Sequence, residues 1–259
     1  CYAFIYGDQH EQEKMGVQMT YCHLETEEIR RFRQEYTIEE LREWFYGITD
    51  AYEKWALFQV EWREKRDASI KKVEFPYQYR EGQKKLAAAV YRTIERKKKL
   101  FIQAPTGVGK TMATVFPAVK AVGEGLADKL FYLTAKTITR TVARQAFDIL
   151  KQHGSEGPDP GGEGEGGLQY KVITLTAKEK ICFCEKPECN PDYCPYAKGH
   201  FDRINDAVYE MITTSDDMSR QAVEEQAKKW QVCPFELGLD LSLWADAVIC
   251  DYNYVFDPN

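Results

Sequence analysis

The segment FIQAPTGVGKTMA, residues 101–113, carries the residue types of a phosphate-binding loop. A hydrophobic strand is predicted to enter a turn containing Gly107 and Gly109, and a helix is predicted to leave it, so backbone N–H groups and the positive helix end converge on one point. Glycine permits backbone angles that a β-carbon resists, which lets the chain wrap a phosphate closely. The positive charge of Lys110 would lie beside the β- and γ-phosphates, and the Thr111 hydroxyl would coordinate Mg²⁺.

A second group of chemically active residues is a cluster of thiols downstream of this loop. Cys182, Cys184, Cys189 and Cys194 fall close together, and Cys233 follows after a longer interval. Without a secretion signal, clustered cysteines bind metal more often than they form disulfides. The C-x₂-C pairs typical of zinc sites are not present, and an all-sulfur set with irregular spacing suits an iron–sulfur cluster.

Two questions about the thiols stay open at this stage. Cys184 is left out of the ligand set because it is only one residue from Cys182, although it could replace Cys182. Zinc held by some of the cysteines together with His200 is the alternative metal.

Composition bounds the class of protein. The chain has 259 residues, 44% of them hydrophobic, and a net charge of -6. No run of about 18 apolar residues is present, so we expect a cytoplasmic protein without a membrane segment. The acidic charge excludes a uniformly basic coat but permits a locally basic channel for nucleic acid.

The elements that must position these residues form two patterns. An N-terminal helix, one or two strands and a long helix from Thr37 to about residue 69 are predicted first, with Thr37 and Glu40 as a capping box. After a break at Pro76 and Gly82, strands alternate with helices, which is typical of parallel β-α units.

The predicted elements of this second part are a helix over 83–98, the strand LFIQA, a helix to 124, the strand KLFYLT, a helix over 137–152, the strand YKVITLT, helices over 195–213 and 216–230, and a strand over 247–250. The glycine-rich stretch between 154 and 167 is predicted to be a flexible surface loop.

The order APTGVGKT, with Ala104 where a strict phosphate loop has glycine, resembles the loop of superfamily 2 helicases. In those enzymes an upstream glutamine reads the adenine edge, and YREGQ places Arg80 and Gln83 at that position. The predicted nucleotide site comprises Arg80, Gln83, Thr106, Gly107, Val108, Gly109, Lys110 and Thr111, with the last two as catalytic residues. The segment LFYLTAKTITRTVARQ resembles the one that contacts the DNA backbone, through Thr134.

The phrases LTAKEKIC and CPFELGLDLSLWADAVICDYNYVFDP, with cysteines between them, resemble the DinG/XPD-type iron–sulfur DNA helicases. The resemblance implies an α/β RecA-like P-loop NTPase domain with a parallel sheet, a helical insertion holding a 4Fe-4S cluster, and an N-terminal α+β remnant. By motif position the ligands are Cys182, Cys189, Cys194 and Cys233.

The same resemblance implies the activity and partners. We expect a monomeric ATP-dependent DNA helicase that moves 5'-3' on single-stranded DNA and unwinds fork DNA. The small insertion would lack the apolar area to hold its shape alone, so metal–thiolate bonds would supply folding energy.

The predicted boundaries are 1–72 for the end of a RecB-like nuclease domain and a helical linker, 73–177 for the first part of the RecA-like domain, 178–235 for the cluster insertion and 236–259 for the return to the RecA-like domain. Gln18 and Tyr21 resemble the terminal motif of such nucleases.

An apolar strand ending at Asp251 invites assignment as the magnesium-binding carboxylate. We do not assign it so, because Tyr252 follows where a helicase needs glutamate, and in the resembled family the DEAH box comes later. The sequence therefore resembles an incomplete helicase that is not expected to unwind DNA alone.

Two other functions fit parts of the pattern. One is a nucleotide switch or P-loop kinase with a structural zinc site, which would have no need of YREGQ or of the segment after KLFYLT. The other is a DNA-binding module without enzymatic activity that uses the cluster only as a structural element.

Overall fold

The computed structural model describes residues 1–105, 107–135, 137–153 and 167–257. The chain divides into two compact units, Cys1–Val60 and Glu61–Asn259. All of the predicted glycine-rich loop except Gly167 lies outside the described residues.

The first unit is a small α+β assembly. It contains α1 (Tyr2–Gln9), β1 (Lys14–Cys22), β2 (Ile29–Thr37) and the first part of α2 (Ile38–Lys72). The two strands form an antiparallel hairpin. Phe4, Ile38 and Leu41 form its buried core, and the rings of Phe4 and Phe45 lie 4.8 Å apart. The predicted order of helix, strands and long helix is confirmed.

The start of α2 has the predicted capping box. The Glu40 carboxylate accepts hydrogen bonds from the Thr37 backbone N–H at 2.8 Å and from its hydroxyl at 2.9 Å, while the Glu40 N–H donates back to the hydroxyl. These bonds lower the pKa of Glu40, since they favour the ionised carboxylate. The helix therefore begins where the sequence pattern placed it.

Gln18 and Tyr21 do not come together in this unit. Both lie on β1, three residues apart, and side chains of a strand alternate between its two faces. Tyr21 packs edge-on against Phe32 of β2, whereas Gln18 bonds to Thr20 on the opposite face. The resemblance of the pair to a nuclease motif stays a prediction.

The second unit is a parallel α/β fold. Its further elements are α3 (Gln83–Glu95), α4 (Lys110–Gly123), β3 (Leu130–Thr134), α5 (Thr137–His153), β4 (Val172–Thr174), α6 (Lys178–Ile181), α7 (His200–Thr214), β5 (Asp217–Met218), α8 (Arg220–Trp230), α9 (Pro234–Trp244), β6 (Ala247–Asp251) and α10 (Asn253–Phe256). The strand order is β3-β6-β4-β5, with every pairing parallel. The predicted fold class, α/β with a parallel sheet, is confirmed.

The core of this unit lies between the sheet and the helices α4 and α5. Val119 of α4 and Phe147 of α5 pack with Tyr170, Val172 and Ile249, all of them at most 1% exposed. Burial on this scale stabilises the sheet by roughly 1.5–3 kcal/mol per large apolar side chain. The sheet and α4 therefore form one rigid support for the loop.

The predicted strand LFIQA is wrong within the described residues. Leu100 to Ala104 have no strand partner there, and Phe101 is 93% exposed. A strand needs a ladder partner for its backbone N–H and C=O groups, and an apolar run alone does not supply one. The chain reaches the phosphate loop without a strand among these residues.

A buried charge network joins the end of α2 to the sheet. The Asp246 carboxylate, 3% exposed, accepts hydrogen bonds from Trp62 Nε1 at 3.0 Å, Arg66 at 3.0 Å and the Lys171 N–H at 2.8 Å. Burial raises the pKa of Asp246, and these donors oppose that effect. One face of the helix segment 61–72, with Arg66 and Ile70 buried, therefore packs into the second unit.

Replacement of Asp246 by asparagine is expected to lower the free energy of unfolding of this unit by about 2 kcal/mol. The amide keeps one acceptor oxygen but loses the charge that pairs with Arg66, and hydrogen bonds to charged groups contribute about 1.5–3 kcal/mol. Denaturant unfolding of Asp246→Asn, with the exposed Asp128→Asn as control, measures the difference. An unchanged midpoint in both variants would show that the network carries no net stability.

None of the helices in the described part of the chain has the length and apolar character needed to cross a bilayer.

Candidate nucleotide and metal sites

The phosphate loop has the backbone that its glycines predict. Gly107 has φ 84° and Gly109 has φ 75°, both in the left-handed region that favours glycine. A β-carbon on Gly109 would lie 2.3 Å from the Gln83 side-chain nitrogen, whereas one on Gly107 would meet nothing within 4 Å. Gly109 is therefore favoured by its backbone angle, and a β-carbon there would also displace the Gln83 amide from its bond to the loop.

Lys110 is the first residue of α4, where helix N–H groups have no acceptor within the helix. Its ammonium donates to the carbonyl oxygens of Ala104 at 2.9 Å and Pro105 at 2.6 Å. The lysine is thus folded back onto its own loop. A phosphate that binds here must take the place of these two carbonyls.

Arg80 and Gln83 lie against the same loop, as predicted. Gln83 Nε2 donates to the Gly109 carbonyl at 3.2 Å, its Oε1 accepts from the Arg80 N–H at 3.0 Å, and the Arg80 guanidinium donates to the Gly107 carbonyl. The Gln83 side chain is buried and holds the loop in this conformation. Its reading of an adenine edge stays a prediction.

A cleft of about 580 Å³ opens beside the loop. Arg80, Gln83, Gly107, Gly109, Lys110 and Thr111 line it together with Tyr77, Gln78 and Met112. The last three were missed from sequence, although an aromatic residue just upstream of YREGQ was a usable signal. Val108 lies within the loop, and Thr106 falls outside the described residues.

Thr134 lies at the carboxyl end of β3, beside Asp251 at the end of β6. Its buried hydroxyl donates to the Cys250 carbonyl at 3.4 Å and accepts from Arg140 at 3.3 Å. Arg140 also pairs with the Asp251 carboxylate at 3.3 Å, which fits the view that Asp251 is not the magnesium ligand. A DNA contact by Thr134 stays a prediction.

The second site is a cleft of about 340 Å³ among α6, α7 and the start of α9. All four predicted ligands line it, and so does Cys184. His200 lies in the same lining. Cys182 and Cys233 are 51 positions apart in the sequence, and the fold brings both to this one cleft.

The thiols fall into two groups within this cleft. Cys184 and Cys194 lie 3.8 Å apart, sulfur to sulfur, and burial with the bond to Cys194 raises the pKa of Cys184 to about 11. On the other side, Lys178 has a raised pKa, chiefly because of its hydrogen bond with Cys189, with a further contribution from Cys233. Metal binding has to displace the thiol protons.

His200 is already engaged by the backbone of a predicted ligand. Its Nδ1 accepts a hydrogen bond from the Cys233 N–H at 3.3 Å. A neutral imidazole that accepts at Nδ1 carries its proton on Nε2, so neither nitrogen offers a lone pair to a metal in this arrangement. This geometry disfavours the zinc site that includes His200.

The donor set fits a cluster better than a single ion. Within the described residues, no three Cys, His, Asp or Glu side chains stand in the arrangement of a site for one ion. Five thiols nevertheless share one cleft, and an iron–sulfur core spans a greater distance between its ligands than one metal ion does. The residues present therefore fit a thiolate-bound cluster.

Comparison with known proteins agrees with the nucleotide site. The DEAD/DEAH box helicase family matches residues 80–177. A protein of Methanocaldococcus jannaschii named "Probable ATP-dependent helicase MJ0942" is 25% identical over 204 residues, which cover 70% of this chain and 29% of that protein. The chain thus spans less than a third of the length of this relative.

A solved structure named as an XPD helicase aligns over 70% of this chain and 29% of its own, with 15% identity and a TM-score of 0.45. The matched family segment contains the phosphate loop, Arg80, Gln83 and Thr134. Residues 80–177 thus match the DEAD/DEAH box helicase family, in agreement with the resemblance of the sequence to superfamily 2 helicases.

Proposed function

We propose that the protein is an ATP-dependent DNA helicase of the DinG/XPD type that carries a 4Fe-4S cluster. ATP binding and hydrolysis with Mg²⁺ would drive 5'-3' movement on single-stranded DNA and unwinding of fork DNA. The observation that carries this proposal is the presence, in one compact unit, of a formed phosphate loop and a cleft lined by five thiols.

The nucleotide site supports the motor part of the proposal. Lys110 would contact the β- and γ-phosphates and Thr111 would hold Mg²⁺, because both lie at the first turn of α4 and line the cleft. Tyr77 is half exposed in the same cleft and offers an aromatic face to a base. Hydrolysis also requires charge stabilisation from further parts of such enzymes.

The thiol cleft supports the iron–sulfur part. Cys182, Cys189, Cys194 and Cys233 would hold the cluster, which supplies structural cross-links between α6, the following turns and the start of α9. Within this proposal the domains run 73–177 and 236–259 for the motor and 178–235 for the cluster insertion. Residues 1–72 would be the end of a nuclease domain and a linker.

The insertion differs in one respect from the sequence-based expectation. Its helices bury apolar side chains, which include Ile204, Val208 and Met211 of α7 and Val223 and Ala227 of α8. Residues 183–198, by contrast, contain no helix or strand. Within this proposal the cluster would therefore stabilise the cysteine-bearing segment more than the helices.

The test is anaerobic purification of the intact protein followed by three measurements. Iron and sulfide analysis should give four of each per chain, as a 4Fe-4S cluster requires. Hydrolysis of ATP should rise on addition of single-stranded DNA, and duplexes with a 5' tail should be unwound in preference to those with a 3' tail. Protein that hydrolyses ATP without response to DNA would contradict the helicase proposal.

One observation keeps a zinc site as the second candidate. The sulfurs of Cys184 and Cys194 lie 3.8 Å apart. Two thiolates bound to one tetrahedral zinc ion lie about 3.8 Å apart, since each Zn–S bond is about 2.3 Å long. Zinc in an anaerobically prepared sample, with no iron or sulfide, would favour a P-loop protein with a structural zinc site.

Replacement of Cys182 by serine is expected to abolish iron binding, whereas Cys184→Ser should retain it. The Cys182 N–H bonds to the Lys178 carbonyl at 2.9 Å, so the end of α6 anchors this residue. Cys184 lies in the turns that follow. Iron content after reconstitution of both variants decides between them, and the reverse result would make Cys184 the ligand.

A further inference from the structure

Arg203 of α7 connects the two chain segments that carry Cys194 and Cys233. Its guanidinium donates to the Trp230 carbonyl at 2.9 Å, the Gln231 carbonyl at 2.7 Å and the Lys198 carbonyl at 2.8 Å. The first two carbonyls precede Cys233, and the third follows Cys194. One side chain thus joins segments that are more than 30 residues apart in sequence.

On the Cys233 side, the contacts fall at the end of α8. The last carbonyls of a helix have no partner within it and carry partial negative charge, so a cation there is stabilising. Gln231 takes the left-handed conformation, φ 51°, which turns the chain from α8 towards Cys233. Arg203 therefore holds the turn that delivers Cys233 into the cleft.

On the Cys194 side, the contact lies one turn after the ligand. The Cys194 carbonyl accepts from the N–H groups of Ala197 and Lys198, at 3.1 and 3.2 Å. These bonds close a compact turn, and Arg203 holds its last carbonyl. The position of the Cys194 backbone is thus fixed relative to α7.

Gly199 provides the space that the arginine needs. A β-carbon at this position would lie 2.6 Å from one terminal nitrogen of Arg203, and the residue has φ 67°. Arg203 and Gly199 are therefore matched to each other in the first turn of α7.

We propose that Arg203 is a positioning residue for the thiol cleft, which holds Cys194 and Cys233 in place before metal binds. This inference rests on the proposed metal site and concerns how that site is preorganised. His200, on the same helix as Arg203, also helps to hold Cys233 in place, because its Nδ1 accepts a hydrogen bond from the Cys233 N–H.

The requirement is for the shape of the guanidinium and not only for its charge. Several donors in a rigid plane can reach three carbonyls at once, whereas a lysine ammonium is a compact charge that cannot span them. Substitutions in the shell around a metal site typically weaken metal binding about 10- to 100-fold. Both Arg203→Lys and Arg203→Met should therefore release metal about tenfold faster or more.

The experiment uses the full chain, reconstituted anaerobically with ferrous iron and sulfide. The rate at which a chelator removes iron is followed by visible absorption for Arg203→Lys, Arg203→Met and the control Arg92→Lys, which changes an exposed arginine of α3. In the metal-free chains, alkylation of Cys194 and Cys233 is compared by mass spectrometry, since a loosened segment reacts faster.

A second pair of variants tests the same contact with the arginine retained. Gly199→Asn introduces a β-carbon against Arg203, whereas Gly125→Asn has a similar positive φ, 69°, and open space around it. Faster iron release in Gly199→Asn alone supports the proposal. Equal retention of iron in Gly199→Asn and both Arg203 variants, at unchanged thermal midpoints, overturns it.

The two proposals fail in different ways. If the wild-type chain takes zinc and no iron, transfer of zinc to a chelator that changes colour on binding zinc still tests Arg203, while the iron–sulfur assignment fails. If the wild type holds iron firmly and all Arg203 variants match it, only the positioning role fails.

Discussion

Lys110→Ala is expected to weaken binding of ATP to this chain by about 10- to 140-fold. The ammonium is the charged donor at the first turn of α4, and a hydrogen bond to a charged group contributes about 1.5–3 kcal/mol, where each 1.4 kcal/mol is tenfold in affinity. In the intact protein, loss of this charge from the transferring phosphate should lower hydrolysis by on the order of 10²- to 10³-fold.

Titration with a fluorescent ATP analogue in the presence of Mg²⁺ measures the binding effect. Lys98→Ala, which changes an exposed lysine between α3 and the phosphate loop, is the matched control. ATP-dependent unwinding by the intact Lys110→Ala protein at the wild-type rate would reject the proposed motor.

Cys233→Ser is expected to remove the iron almost completely, with more than about 100-fold weaker retention than in the wild type. Substitutions in the surrounding shell already cost 10- to 100-fold, and a lost thiolate removes a bond to the metal itself. The helices α7 to α9 should remain folded because they have their own apolar contacts.

The structural consequence should be confined to the turns between Cys182 and α7. Limited proteolysis should cut residues 183–198 of the Cys233→Ser chain faster than those of the wild type, while circular dichroism reports nearly unchanged helix content. Cys22→Ser, an exposed cysteine of the first unit, serves as control. Wild-type iron content in Cys233→Ser would exclude Cys233 as a ligand.

Local signals in the sequence were sufficient for the phosphate loop and for the start of α2. Glycines at 107 and 109 and the Thr37–Glu40 pair each report on a conformation only a few residues long, and both are formed as predicted. The gathering of the thiols was also predictable, because metal-binding cysteines must meet whatever the intervening fold.

The features that could not be predicted from the sequence depend on contacts between residues far apart in the chain. The Asp246 network joins Trp62 and Arg66 to a carboxylate about 180 residues away, and no spacing rule links such positions. LFIQA has the composition of a strand but no partner among the described residues, whereas the two-residue β5 is a strand only because β4 lies beside it. Helix α9 was not predicted, because the segment CPFELGLDLSLW was interpreted by its resemblance to a family motif and its helical periodicity was not considered.

The predicted contact of Gln83 with adenine shows what a motif does not predict, namely the hydrogen bonds of a side chain. The resemblance placed the residue beside the loop correctly, but its amide bonds to Gly109 and Arg80 in this structure. The amide has a second donor hydrogen and a second acceptor lone pair, so contact with an adenine edge stays a prediction.

The order of strands has a consequence for how the protein is made. Strand β6, which is near the end of this sequence, lies in the sheet between β3 and β4 and pairs with both. As the ribosome releases the chain, β3 and β4 emerge first and leave edges unpaired until residues 247–251 have been synthesised, and such edges invite aggregation. The cysteine-bearing residues 182–233 emerge in this interval, so the nascent chain exposes its thiols before β6 joins β3 to β4.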